Sequence, residues 1–295
     1  MQAKALVAGW GALIFLVALL VLGRSIGPTV TSAEEIEPMA TPKQDLPPRP
    51  RFYQHLPKEF ELPSDETGQL LLQEYGALFV ARDGAVPPRK VIFRDEADVA
   101  HFQGSVEVGS KVIGGHKVEL QIAAMDALSD AIEEARKERL SITPRGADSA
   151  RRDYEETRRL WASRVDPGMK YWVAKGRVSP AEAKRIQALP PFEQVPEILR
   201  LEQSGIYFAK SLDKSIIYSV APPGTSQHLS MLAFDVAEFD DARVRAILAK
   251  HGWFQTVASD LPHFTYLGVA EKDLPGLGLK ERADTTGRIF WVPDL

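Results

Sequence analysis

The tightest constraint on this chain lies in Ser226-Gln-His228-Leu-Ser-Met-Leu-Ala-Phe-Asp235, read together with Asp260-Leu-Pro-His263 a short way downstream. Two imidazoles and a carboxylate are nitrogen and oxygen donors suited to Zn²⁺, and three protein ligands leave a fourth position for water. We therefore expect His228, Asp235 and His263 to hold one ion. Along a single extended strand, a separation of seven residues would set His228 and Asp235 roughly 23 Å apart on opposite faces, beyond joint reach. The backbone must bend between them. Pro222-Pro223-Gly224-Thr225 just ahead is a turn signal, and residues 229–236 are an apolar run suited to a buried strand. The expected arrangement puts His228 at the mouth of that strand, Asp235 after a curve or bulge, and His263 on a neighbouring element.

The longer pattern is more specific. Ser226-x-His228-x-x-Met231-x-Ala233-x-Asp235, followed by Asp260-x-x-His263-Phe264-x-Tyr266-Leu267-Gly268, resembles the Ser-x-His-x-x-Gly-x-Ala-x-Asp and Glu-x-x-His signatures of VanY-type D-alanyl-D-alanine carboxypeptidases. That zinc-peptidase family includes phage L-alanyl-D-glutamate endolysins and shares its fold with the hedgehog signalling domain. Ala249-Lys-His-Gly252-Trp253-Phe254 is similar to the family's helix end and Gly-aromatic turn, and residues 149–157 can be laid over its Ser-Gly-Tyr-Arg-Ser-Tyr-x-x-Gln.

The resemblance implies an α+β fold, a central antiparallel sheet flanked by helices, with Zn²⁺ as cofactor and peptidoglycan stem peptides as substrate. It implies a general base at Asp260, an arginine for the peptide's terminal carboxylate at Arg152 or the nearby Arg145, and Ser226 orienting substrate or a ligand. Two positions depart from the family: Met231 stands where it has Gly, and Asp260 where it has Glu. Asp is one methylene shorter, which bears on its reach to a reacting water. Two readings therefore stay open, a D,D-carboxypeptidase and a zinc-bearing wall-binding or signalling domain without turnover. Glu238 is an alternative base by residue type, but reads better as a solvated acid opening a helix at Glu238-Phe-Asp-Asp241.

Ahead of this region, residues 5–23 are almost uninterruptedly apolar and flanked by Lys4 and Arg24, long enough to span a hydrocarbon core. We expect residues 1–24 to be a transmembrane helix anchoring the chain, with the body on the outer side of the membrane in the cell envelope, as the family's chemistry implies. Residues 25–66 carry scattered prolines and charges and read as a semi-rigid spacer, leaving 67–295 as the folded domain. A formal charge of −4 gives no basic footprint for nucleic acid, and the absence of cysteine excludes disulfides and thiolate metal sites.

Within the domain, residues 120–138 carry Ile122, Met125, Leu128, Ile132 and Ala135 at helical spacing with cations at the end. Residues 158–215 read as helical, and Ser179-Pro180-Ala-Glu182 as a capped helix start. Residues 77–82, 90–94, 105–113, 140–143, 214–220 and 264–268 read as strands.

Overall fold

A computed structural model describes residues 49–295. The expected anchor at 1–24 and most of the expected spacer lie outside the described residues; among those described, no helix is long and apolar enough to cross a membrane. The end of the spacer expectation is corrected. Arg51–Gln54 forms a 3-10 turn that buries Phe52 completely, Tyr53, Leu56 and Phe60 pack against the core, and Glu61 pairs with Lys90 in a single parallel bridge. Prolines discourage regular structure here, but burying aromatic rings stabilises by roughly 2 kcal/mol apiece and draws this stretch onto the domain.

Helix α1 (Glu66–Tyr75) is capped by Asp65, whose side chain accepts from Gly68 N, and buries Leu71, Leu72 and Tyr75. It runs directly into a 3-10 turn, Gly76–Val80, where a strand was expected. Helix α2 (Glu96–Gly104) starts at an Asp95 cap. Strands β1 (Val108–Ile113) and β2 (His116–Gln121) form a hairpin in which Gly114 and Gly115, both at positive φ, make the turn.

Helix α3 (Ile122–Lys137) buries Ala124, Met125, Leu128, Ala131, Ile132 and Ala135, which is the apolar stripe expected from spacing except for Ile122, exposed at the helix start. Helix α4 (Tyr154–Ala174) is capped by Asp153, α5 (Pro180–Gln187) by Ser179 with Pro at its start, and α6 (Pro191–Gln203) follows closely. Strand β3 (Ala233–Asp235), α7 (Ala242–Lys250), β4 (Trp253–Phe254), β5 (His263–Tyr266) and the closing hairpin β6 (Leu279–Ala283) and β7 (Ile289–Pro293) complete the described chain.

The mixed helix and antiparallel-strand character matches the expected class, but the single central sheet does not. The strands form three small antiparallel sheets: β1-β2, β3-β5-β4 and β6-β7. The middle one carries the site. Its β3 pairs with β5 so that Asp235 stands opposite His263 and Phe234 opposite Phe264. Side chains of directly opposed residues share a face, so Phe234 and Phe264 go into the core while Asp235 and His263 go to the other side.

The turn ahead of the site depends on one glycine. Gly224 has φ +80°, its carbonyl accepts from Phe93 N at 2.9 Å, and an added Cβ would fall on the Phe93 carbonyl oxygen. No other residue fits there.

Candidate metal centre

Between His228 and Asp235 the chain turns through a 3-10 segment, Gln227–Ser230, that ends on Met231 in the left-handed region (φ 58°, ψ 29°). This is the position where the resembled family has glycine, and the backbone supplies the reason. A left-handed residue ends the turn and starts β3, and here a fully buried Met carries that conformation at a cost of about 1–2 kcal/mol. The bend is held from outside: Gln121 Nε2 donates to Ser230 O at 2.8 Å, Gln121 N to Met231 O at 3.0 Å, and Gln103 Nε2 to Leu229 O at 3.1 Å. On the far side of β3, Asp235 N donates to Ser149 O at 2.8 Å and Arg145 N to Asp235 O at 3.0 Å. The segment 143–149 thereby lines the strand without forming one; the expected strand at 140–143 reduces to a single antiparallel bridge, Pro144 to Val236.

These constraints bring together the three expected ligands. His228, Asp235 and His263 are 1%, 8% and 4% exposed. His228 Nδ1 lies 2.7 Å from Ala150 O, and a carbonyl only accepts, so Nδ1 carries the proton and Nε2 the lone pair. Gln227 fixes the other ring. Its Nε2 donates to Tyr75 O at 2.8 Å, which orients its Oε1 toward His263 Nε2 at 2.9 Å. The Thr265 hydroxyl donates to the same Oε1. His263 Nε2 thus carries its proton and Nδ1 its lone pair.

The three remaining donor atoms face one another. His263 Nδ1 is 3.1 Å from His228 Nε2 and 3.1 Å from Asp235 Oδ1, and His228 Nε2 is 3.2 Å from Asp235 Oδ1. Three lone pairs aimed at one point repel unless a cation sits among them. Bonds of 2.0–2.1 Å in a tetrahedral zinc site would separate ligand atoms by about 3.3 Å, close to the observed triangle. Donor set, tautomers and spacing all fit a divalent ion such as Zn²⁺.

The electrostatics favour a neutral His228 and an ionised Asp235. Burial, with Arg152 next, lowers the His228 pKa from its ordinary value. Burial alone would raise Asp235, but its contacts with His228 and His263 more than offset this and hold it well below the usual carboxylate range. Asp235 Oδ2, the oxygen turned away from the histidines, accepts from Arg152 Nη2 at 2.9 Å.

The other expected site residues line the same cleft, of about 430 Å³. Arg152, expected to take a substrate carboxylate, is engaged with Asp235 and also donates through Nε to Asp148 O at 3.0 Å. Arg145 is exposed and, among the described residues, has no ion-pair partner. Ser226 is almost buried at the cleft wall. Asp260 is exposed on the turn that opens β5: its N–H donates to Val257 O at 3.0 Å and its carbonyl accepts from His263 N at 3.2 Å.

Glu238 is not in the cleft. Its two carboxylate oxygens accept from Thr143 N at 2.8 Å and Thr143 Oγ1 at 2.7 Å, which commits it to holding segment 143–149 and corrects both expectations for it. Sequence reading missed Gln227, Tyr75 and Arg164, which line the cleft too. Gln227 sits between two motif residues, and that adjacency was the available signal. Tyr75 and Arg164 come from distant helices and left none.

No protein-family model matches the chain, and no curated protein matches it. Solved structures similar over part of the chain include the following two. The vancomycin-resistance D,D-pentapeptidase VanY from a VanB-type resistance cassette, in complex with Zn(II), is 20% identical, over 56% of this chain and 81% of that one, at a TM-score of 0.33. The LdcB LD-carboxypeptidase, described for its peptidoglycan recognition, is 18% identical, over 56% of this chain and 66% of that one, at a TM-score of 0.31. Likenesses of this size are partial, and the site stands on its own side-chain geometry.

Proposed function

We propose that this chain is a zinc-dependent peptidase of the cell envelope, anchored through its N-terminal apolar segment. Its substrates are peptidoglycan stem peptides, and its reaction is removal of a terminal D-alanine. The observation that carries the reading is the buried convergence of His228 Nε2, Asp235 Oδ1 and His263 Nδ1, each with its lone pair free, inside the motif that resembles the D-alanyl-D-alanine carboxypeptidases.

Zn²⁺ held by those three atoms would supply Lewis acidity to a carbonyl oxygen and acidify water. The chain's own groups do the rest. Asp260, exposed to the cleft, takes a proton from the attacking water on its carboxylate and returns it to the leaving amine. Arg145, exposed and without a carboxylate partner, receives the peptide's terminal carboxylate in a two-pronged hydrogen bond. Arg152 orients Asp235 through its Oδ2, and Gln227 and Ala150 keep both imidazoles in the tautomer that presents a lone pair inward.

The test is to incubate the full-length chain in detergent, with zinc and after chelation, with a muramyl pentapeptide and to measure released D-alanine. Release by the zinc-loaded sample alone is expected; no release from a folded, zinc-loaded sample rejects the peptidase. A second reading, a zinc-bearing wall-binding domain without turnover, is favoured by Asp in place of Glu at position 260. That outcome would appear as one bound zinc and binding to wall fragments with no cleavage.

A further inference from the structure

The cleft holds a cation that none of the roles above uses. Arg164, on the third turn of α4, is half-buried and lines the same cavity as the three ligand candidates. Its Nε donates to Ser219 Oγ at 3.1 Å and its Nη1 to Ser163 Oγ at 2.8 Å. Those hydroxyls fix the guanidinium without neutralising it, and among the described residues no carboxylate lies within ion-pair distance. Three acids, Asp148, Asp235 and Asp260, and three arginines, Arg145, Arg152 and Arg164, face the cleft. Arg152 is matched by Asp235, which leaves Arg145 and Arg164 as cations without a partner.

Their places in the fold are well separated. Arg145 and Arg152 lie in the segment that precedes α4, next to β3, whereas Arg164 lies ten residues into the helix from Tyr154. Part of the cleft lining is apolar, with Leu160, Ile217, Val220 and Ala221, which suits small aliphatic side chains.

Resting on the peptidase reading, we infer that Arg164 is a second carboxylate subsite, and that the peptide accepted here is an acidic one. It would carry a side-chain carboxylate on the amino side of the scissile bond, while Arg145 takes the free terminus. A fixed, partly buried guanidinium with an open Nη2 is matched by a carboxylate in a charge-assisted hydrogen bond, and a neutral amide of the same shape would leave it unmatched.

The test compares two peptides ending in D-alanyl-D-alanine that differ only at that residue, acid in one and amide in the other, with full-length zinc-loaded protein. The acid is expected to show a kcat/KM about tenfold or more above the amide, the size of one charged hydrogen bond. Arg164→Gln should bring that ratio to near one, Arg164→Lys should keep part of it, and Arg145→Gln should leave it in place. A ratio near one in the unaltered protein, or one that survives Arg164→Gln, overturns the subsite and leaves Arg164 as a tether for Ser219. If neither peptide is cleaved, the peptidase reading is what has failed. Calorimetric binding of the same pair then decides the subsite: tighter acid binding lost in Arg164→Gln supports it, and equal affinities overturn it.

Discussion

On the side of the cleft that carries His228, Asp235 and His263, each ligand side chain is tied to a neighbour through its outer polar atom, by Ala150, Arg152 and Gln227. On the side of Arg145 and Asp260, the charged ends have no hydrogen-bond partner among the described residues, and Arg164 has only hydroxyls. The first side is buried and rigid, the second solvated. A metal needs its ligands placed within a few tenths of an ångström before it arrives, whereas groups that meet a substrate can be ordered by it. The contrast thus separates what the resting protein holds permanently from what it completes on binding.

The comparison can be broken most sharply at the rigid side. His263→Ala should abolish stoichiometric zinc by elemental analysis; a full equivalent retained would mean the three donors do not act as one site. Asp260→Ala probes the solvated side and should lower D-alanine release by about 10²–10⁴-fold while zinc content stays the same. Loss of metal in that variant would move Asp260 across the divide and make it a ligand. Gln227→Leu removes the acceptor for His263 Nε2–H and should weaken zinc binding about 10–100-fold in chelator competition. Unchanged affinity would show that packing alone orients the ring. Arg145→Gln should have the smallest effect, a rise in KM of about tenfold with zinc content unaffected.

The same division governs what could be read from the sequence. The donor set was legible because its three residues sit in a longer motif that resembles a zinc-peptidase signature, whereas the His-x6-Asp spacing alone is a weak signal. The stripe on α3 was legible because Met125, Leu128, Ile132 and Ala135 recur at the helical period. Residues 214–220 were not. Their β-branched run predicts a strand, yet Ile216–Tyr218 is a 3-10 turn whose backbone donors find another acceptor. Glu202, almost buried at the end of α6, accepts from Phe208 N at 3.0 Å and Ile216 N at 2.7 Å. Burial raises its pKa, and the same donors hold it in place. A strand is a statement about partners, and one internal carboxylate replaced the ladder.

Residues 90–94 follow the same logic, with one bridge at Lys90 and one backbone bond from Phe93 to Gly224 in place of a paired strand. The stretch around Phe52 was misread because proline content outweighed four aromatic and aliphatic side chains that turn out to be anchors.

The turn at Asp260 is pinned on both sides, by Val257 O behind it and by the amide of His263 ahead. Shifting that backbone to bring the acid inward would drag an imidazole with it, so laboratory evolution of this chain has one independent dial here: the number of methylenes at position 260. Selection for faster turnover should therefore return Asp260→Glu ahead of any insertion or deletion in the loop.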